Sequence, residues 1–261
     1  MKTLALLMLA CAVGCGGSSS KSSGGGGGSS GGGGSSGGGG SAGGGGSAGG
    51  GGSGQSVTVS GAVTSAQGNG TAVSGATITI VGTSTTTTTA ADGTFSLSAS
   101  AGANLFLNVS LSTYETCEFG LVVSASGNTG VALKLLPTAT VQAAIGALNP
   151  ALTLDPAKGV VIVQLHDNDN GSSTDMSAVA GYGATLSAGS GSSFDPNVGS
   201  YATTTSISSD SSGSLVFPNV VTGTTTVTVT APTGHACTAR QAIANWRVDA
   251  NIFSFVDYDC T

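Results

Sequence analysis

Between residues 55 and 137, apolar and polar side chains alternate in short runs. Alternation with a period of two, in runs of this length, is typical of strands that bury one face. Gly, Asn and Asp turns separate the runs at 68–70, 92–93 and 127–128. The segment therefore predicts a small β-sandwich. Its alternating apolar residues are Val57, Val59, Ile78, Ile80, Phe95, Leu97, Leu105, Leu107, Val109, Val131, Leu133 and Leu135.

After residue 137 the apolar period lengthens. Val141, Ile145 and Leu148 fall at helical spacing, and Thr138 or Thr140 could cap the first turn. Two Asx-Pro pairs then break the chain before residue 158. The pattern predicts a short helix and linker over 138–157.

Alternation returns over residues 158–261 and predicts a second β-sandwich module. The two modules read as divergent copies, because the segment DGTFSL at 92–97 corresponds to SGSLVF at 212–217. In both, a glycine and then a cysteine follow at similar spacing. The alternating apolar residues of the second module are Val161, Val163, Leu165, Val227, Val229, Phe253 and Phe255.

The order of features over 57–109 is strand, Gly-Ala, strand, threonine-rich run, Asp-Gly-x-Phe, Gly and strand. This order resembles the carboxypeptidase regulatory-like family, whose fold is a transthyretin-like (prealbumin-like) sandwich of seven strands. The resemblance implies an all-β chain with two tandem transthyretin-like β-sandwich modules. Gly93 is expected in a tight turn with positive φ, and Phe95 in the core. The second module matches more loosely, since 166–212 is a longer insertion.

Residues 16–54 are almost entirely Gly and Ser. Such a segment has no apolar surface to offset the entropy of ordering, so a disordered tether is predicted from the lipidated cysteine to residue 54. As a Gly-rich coil it would have a root-mean-square span of roughly 35 Å.

The first fourteen residues have the pattern of an export signal. Lys2 precedes an apolar run over 4–13, and small residues follow. Ala12-Val13-Gly14-Cys15 resembles the lipobox of bacterial lipoproteins, which implies a signal peptide over 1–14 and lipid on Cys15. Cys11 is the rival site. By the same resemblance, Gly16 predicts sorting to the outer membrane, with the protein facing the surface or the periplasm.

Composition narrows the range of partners. The chain has a net charge of -6 and only six Lys and Arg residues, which argues against nucleic acid, a partner that requires clustered cations. No apolar stretch reaches the roughly 18 residues that span a bilayer. The expected partners are a membrane, through the N-terminal lipid, and an unidentified protein or glycan. No cofactor is expected.

No catalytic constellation is evident, so the chain is predicted not to be an enzyme. His166 and His235 are interpreted as surface residues beside turns, and Asp257 and Asp259 as a solvated strand edge. The run at 166–171 is similar to a calcium loop, but the twelfth position is Ser177 rather than Glu. It is interpreted as an Asx-rich turn, with Asp167 and Asp169 as weak cation candidates.

The aromatic residues offer one binding hypothesis. Trp246, Tyr182 and Tyr201 could form a platform that stacks on sugar rings, while the competing interpretation places Trp246 over the sandwich core. In an oxidising compartment, Cys237 and Cys260 are the natural disulfide partners because they flank the last segments of one module. Cys117 is then free, buried or intermolecular.

The sequence thus predicts a non-enzymatic, membrane-anchored surface lipoprotein. Its β-sandwich modules would serve adhesion, binding or envelope structure. The alternative is a carbohydrate-binding module that uses exposed aromatic residues.

Overall fold

The computed structural model describes residues 55–67, 70–148, 151–167, 181–190, 193–195, 206–207 and 213–261. Over these ranges the chain consists of strands with one helix, which confirms the predicted all-β class. The export signal, Cys15 and the Gly/Ser segment lie outside the described residues. Within the described ranges, no helix is long and apolar enough to cross a bilayer.

The first module has seven strands, as the family resemblance implies. In β4 every second side chain is buried, and Phe95 is among them, so the predicted strand and its inward face are confirmed. Gly93, at the turn before this strand, has the expected positive φ of 78°. The strands are β1 (Ser56–Ser65), β2 (Thr77–Ile80), β3 (Thr86–Thr88), β4 (Thr94–Ser100), β5 (Asn104–Ser110), β6 (Cys117–Val122) and β7 (Asn128–Leu135).

Helix α1 (Thr138–Ala147) lies where the apolar spacing predicts it, and it buries Val141. The predicted caps are wrong: Pro137 occupies the N-cap position, and no side-chain hydrogen bond caps the helix. Pro137 has extended backbone, so the helix begins at the very next residue. The Thr138 N–H is paired instead with the Thr113 carbonyl, at 3.1 Å.

Eight further strands follow the linker. They are β8 (Gly159–Asp167), β9 (Gly183–Leu186), β10 (Ser214–Val220), β11 (Gly223–Thr225), β12 (Val227–Thr230), β13 (Cys237–Ala239), β14 (Trp246–Val248) and β15 (Phe253–Cys260).

The strand pairing repeats between the two halves of the chain. β1 lies between an antiparallel β4 and a parallel β7. In the same way, β8 lies between an antiparallel β10 and a parallel β15. The arrangement β4-β1-β7 is therefore copied as β10-β8-β15, as the divergent-copy prediction requires.

The two halves share one sheet. β15 pairs in parallel with β8 and also with β6, where Phe253 lies opposite Cys117 and Phe255 opposite Phe119. One continuous eight-stranded sheet results: β10-β8-β15-β6-β5-β2-β3, with β13 paired to β15. The tandem arrangement of the two modules in the sequence did not predict this shared sheet. The domain boundaries at 137 and 158 stay predictions.

Both faces of the shared sheet are covered. One hydrophobic core contains residues of β1, β4 and β7 together with Ile162, Phe253 and Phe255. A second core, on the opposite face, contains Val161, Val163 and Trp246. Burial on both faces explains why 160–163 is a continuous apolar run, VVIV, instead of an alternating one.

Trp246 joins the two halves across this sheet. A Cβ atom on Gly120 of β6 would lie 2.5 Å from Trp246 Cζ3 and 2.6 Å from Ile243 Cδ1. The indole ring therefore occupies the space that a side chain at Gly120 would need. Trp246 is 3% exposed, and Phe106 contacts it edge-on with 6.2 Å between ring centroids.

Because a buried indole has little room to move, we expect Gly120→Val to destabilise the fold by about 1–3 kcal/mol through overpacking. The free energy of unfolding, followed by the fluorescence of the single tryptophan, measures the effect. Gly146→Ala is the control, since nothing lies within 4 Å of a Cβ there. Wild-type stability in Gly120→Val would contradict the packing of Trp246 on β6.

Candidate functional site

Two of the three residues of the predicted sugar-stacking platform are buried. Trp246 is 3% exposed and Tyr182 4% exposed, so neither ring offers a face to a sugar. The sugar-contact hypothesis is therefore wrong for these two residues. Trp246 packs on Gly120, and Tyr182 belongs to the second core, where His235 contacts it edge-on at 5.8 Å. Tyr201 lies outside the described residues.

The cysteines pair as the sequence predicts. Cys237 and Cys260 form a disulfide with a Cα–Cα distance of 4.1 Å, at directly opposed positions of β13 and β15. Cys117 is a fully buried thiol in β6, and its Sγ donates to the Glu115 carbonyl at 3.6 Å.

His166 is not a surface residue. It is fully buried in β8, and its Nε2 lies 2.9 Å from Asp257 Oδ1 on the neighbouring β15. The predicted solvated edge is wrong as well, since Asp257 is engaged by His166 and Asp259 contacts Arg240 Nε at 2.6 Å. The cause is the strand pairing, which places Asp257 opposite Gln164 and diagonal to His166.

The structure describes one of the two candidate cation ligands of the 166–171 run. Asp167 is the last residue of β8, and Asp169 lies outside the described residues. In the part of the chain that the structure describes, no group of three or more His, Cys, Asp or Glu residues is placed to hold a metal ion.

A row of polar side chains crosses five strands of the shared sheet. Each member lies directly opposite the next in the strand register: Thr86, Thr79, Asn108, Glu118 and Ser254. The row begins at an exposed edge strand and ends beneath the second core. The sequence analysis missed it. The available signal was a charged residue, Glu118, inside the apolar run CEFGLV.

Glu118 is the member of this row with an ionisable side chain. Its side chain is 1% exposed, and Arg247 Nε lies 3.8 Å from its Oε2. Burial raises the pKa of Glu118 to about 8, and the neighbouring Asp249 carboxylate also raises it, whereas Arg247 and the Ser254 hydroxyl lower it. Arg247 makes its shorter contact to Asp249 Oδ2, at 2.6 Å. The junction of β6, β14 and β15 therefore contains a carboxyl group that prefers its neutral form.

An open groove of about 460 Å³ lies beside the row. No charged side chain lines it, so its chemistry suits a neutral polar ligand that exchanges hydrogen bonds with hydroxyl groups. The lining residues are Gly75, Thr77, Ser110, Leu111, Ser112, Tyr114 and Thr116.

Comparison with protein families gives one match. Residues 59–143 match the CarboxypepD_reg-like domain, a span that runs from β1 into α1. The resemblance of the first module to this family is confirmed. A CarboxypepD_reg-like domain within a β-sandwich fits a non-catalytic surface protein. A search of curated proteins gave no match.

Solved structures align with this chain at low identity. They include a type II cohesin–X-dockerin complex from Acetivibrio cellulolyticus (22% identity, 31% of this chain and 58% of that chain, TM-score 0.27). The TIE protein of Bacillus anthracis aligns at 12% identity (78% of this chain, 34% of that chain, TM-score 0.26). The minor pilin of Streptococcus agalactiae aligns at 10% (78% of this chain, 96% of that chain, TM-score 0.27). The chain thus spans 58% and 34% of the first two.

Removal of the disulfide tests its contribution to the second half. The two cysteines are 23 residues apart, so closing the loop restricts the unfolded chain and contributes about 3–4 kcal/mol on the chain-entropy model. We expect the free energy of unfolding of the Cys237→Ser, Cys260→Ser double variant, measured with denaturant, to be lower by that amount.

The Cys117→Ala variant serves as the redox control. Its unfolding should remain sensitive to reductant, whereas the double variant should be insensitive. Non-reducing peptide mapping that links Cys117 to either partner would contradict the pairing.

Proposed function

We propose that this chain is a non-enzymatic, membrane-anchored surface lipoprotein that presents a β-sandwich head for adhesion, binding or envelope structure. The observation that carries the proposal is Ala12-Val13-Gly14-Cys15 after an apolar run, followed at once by a Gly/Ser segment and then the folded strands.

Lipid chemistry supports the anchor. In the lipoproteins that this sequence resembles, the cysteine carries a diacylglyceryl thioether and an N-acyl chain. Each buried methylene contributes about 0.8 kcal/mol, and a single acyl chain binds a membrane only weakly and reversibly. Several chains on Cys15 would therefore hold the protein stably, and the Gly/Ser segment would separate the head from the lipid surface.

The head itself supports the exported location. The Cys237–Cys260 disulfide suits an oxidising compartment outside the cytoplasm. The sheet that both halves share also favours a head that moves on its tether as one body.

The non-enzymatic part of the proposal is supported by accessibility. His166 and Asp257 are the described pair that most resembles catalytic machinery, yet His166 is 0% exposed and the two side chains bind each other. The hydroxyl-lined groove has no charged group to act as acid, base or activated nucleophile.

Substitution at the lipobox tests the proposal. We expect Cys15→Ser to abolish labelling by a palmitate analogue and to release the protein from membranes, because the thioether cannot form. Cys11→Ser is the matched control and should keep both label and membrane attachment. Label that persists in Cys15→Ser but is lost in Cys11→Ser would assign the anchor to Cys11, and label in neither wild type nor control would refute the lipoprotein.

A further inference from the structure

Three acceptor oxygens meet at the junction of the two halves without a donor. Asn108 and Glu118 are directly opposed on the antiparallel strands β5 and β6. Glu118 Oε1, Glu118 Oε2 and Asn108 Oδ1 are all buried, and none has a hydrogen-bond partner. A buried acceptor without a hydrogen-bond partner is unfavourable, and two acceptors that face each other also repel. A hydrogen-bond donor between them removes both penalties.

The nearest side-chain donors from β14 and β15 are directed to other acceptors. Arg247 Nε donates to Asp249 Oδ2 at 2.6 Å and lies 3.8 Å from Glu118, beyond hydrogen-bonding distance. The Ser254 hydroxyl, opposite Glu118 on β15, is near enough to lower the pKa of that carboxyl, but its hydrogen bond goes to the Arg247 carbonyl at 3.3 Å.

On the other side of Asn108, the Thr79 hydroxyl donates to Thr86 at 3.5 Å. Arg247 and Asp249 are the charged groups that act on Glu118, and one is positive and one negative. The Asn108 amide group carries two N–H donors, but neither Glu118 oxygen accepts from them. The missing donor is therefore best supplied by Glu118 itself.

We propose that Glu118 is a neutral carboxylic acid in the folded protein, that it donates its O–H to Asn108 Oδ1, and that release of this proton to water in alkaline solution loosens the pairing of β6 with β15. This step transfers one proton from the Glu118 carboxyl group to water and breaks only the O–H bond. Ionisation of Glu118 would thus make the attachment between the two halves sensitive to pH.

The position of Glu118 explains why the junction would respond. It pairs with Ser254 of β15 on one side, and Gly120, two residues further along the same face, packs under Trp246. A carboxylate at this position needs water or a full ion pair. Water can reach it only if β14 or β15 moves away from β6, since the side chain is 1% exposed.

The direction of the pH effect follows from the raised pKa. The ordinary value is 4.5, and burial raises the pKa to about 8 in the folded state. The folded protein then keeps a proton that the unfolded chain loses. The contribution to stability is complete below pH 4.5, declines as the pH rises toward 8, and is absent above that value.

Carbon-13 NMR of the full chain gives the most direct test, because Glu115 and Glu118 are its two glutamates. With [¹³C]glutamate labelling, the side chains give two carboxyl signals. We expect one signal to titrate near pH 8 and to disappear in Glu118→Gln. If both signals have completed their titration in the acid range, the proposal is wrong.

Stability of the full chain supplies the second test. Glu118→Gln keeps the shape of the neutral acid, so we expect it to abolish the decline between pH 4.5 and 8 and to exceed the wild type above pH 8. Glu115→Gln, the same chemical change three residues away, should retain the decline. The Trp246 emission should shift to the red in alkaline wild type but not in Glu118→Gln.

Two results would overturn the proposal. One is a Glu118→Gln variant that is less stable than the wild type at both ends of this pH range, which would mean that the ionised carboxylate is the stabilising form. The other is restoration of wild-type stability above pH 8 by calcium alone, since oxygen ligands of this kind also suit that cation. If Glu118→Gln does not fold, the NMR titration of the wild type still decides.

Discussion

The C-terminal strand β15 lies between β8 and β6 and hydrogen-bonds to both, and the arrangement of the other elements depends on this pairing. Without it, β6 would have an open edge, and Phe119 would lose the ring of Phe255 that stacks on it at 5.1 Å. Parallel strands are stable when both faces are covered, and here one core lies on each face of the joined sheet. The glycine at position 120 permits this closure, because Trp246 needs the volume of a side chain there.

Polar groups inside this sheet are arranged in two sets on opposite faces. His166 Nε2 is paired with Asp257 on the face of the first core, while Asn108 and Glu118 oppose each other on the face of the second. The first set disfavours another register of β8 with β15, because a shift would separate His166 from Asp257. The second set contains Glu118, a carboxyl group whose pKa is raised to about 8.

The local pattern of apolar residues predicted most of the strands but few of the strand pairings. Alternation identified the inward face of β4, and Asp92-Gly93 identified the turn before it, because both depend on neighbouring residues only. The β6–β15 pairing joins residues such as Glu118 and Ser254 that are far apart in sequence, and an apolar strand has the same pattern whichever strand it joins. For the same reason the burial of His166 was not predicted, since it depends on what covers the strand, whereas the interpretation that placed Trp246 over the sandwich core is confirmed. The run VVIV was the one local sign that β8 would be covered on both faces.

If β15 joins the halves into one cooperative unit, then β4 in the first half and β10 in the second should open together. Native-state hydrogen exchange of the full chain, measured against denaturant, tests this directly through the opening free energies of the amides in these two strands. The shared sheet predicts that both strands reach the same opening free energy and lose protection in one transition. Loss of protection in β10 at lower denaturant, while β4 remains protected, would contradict it.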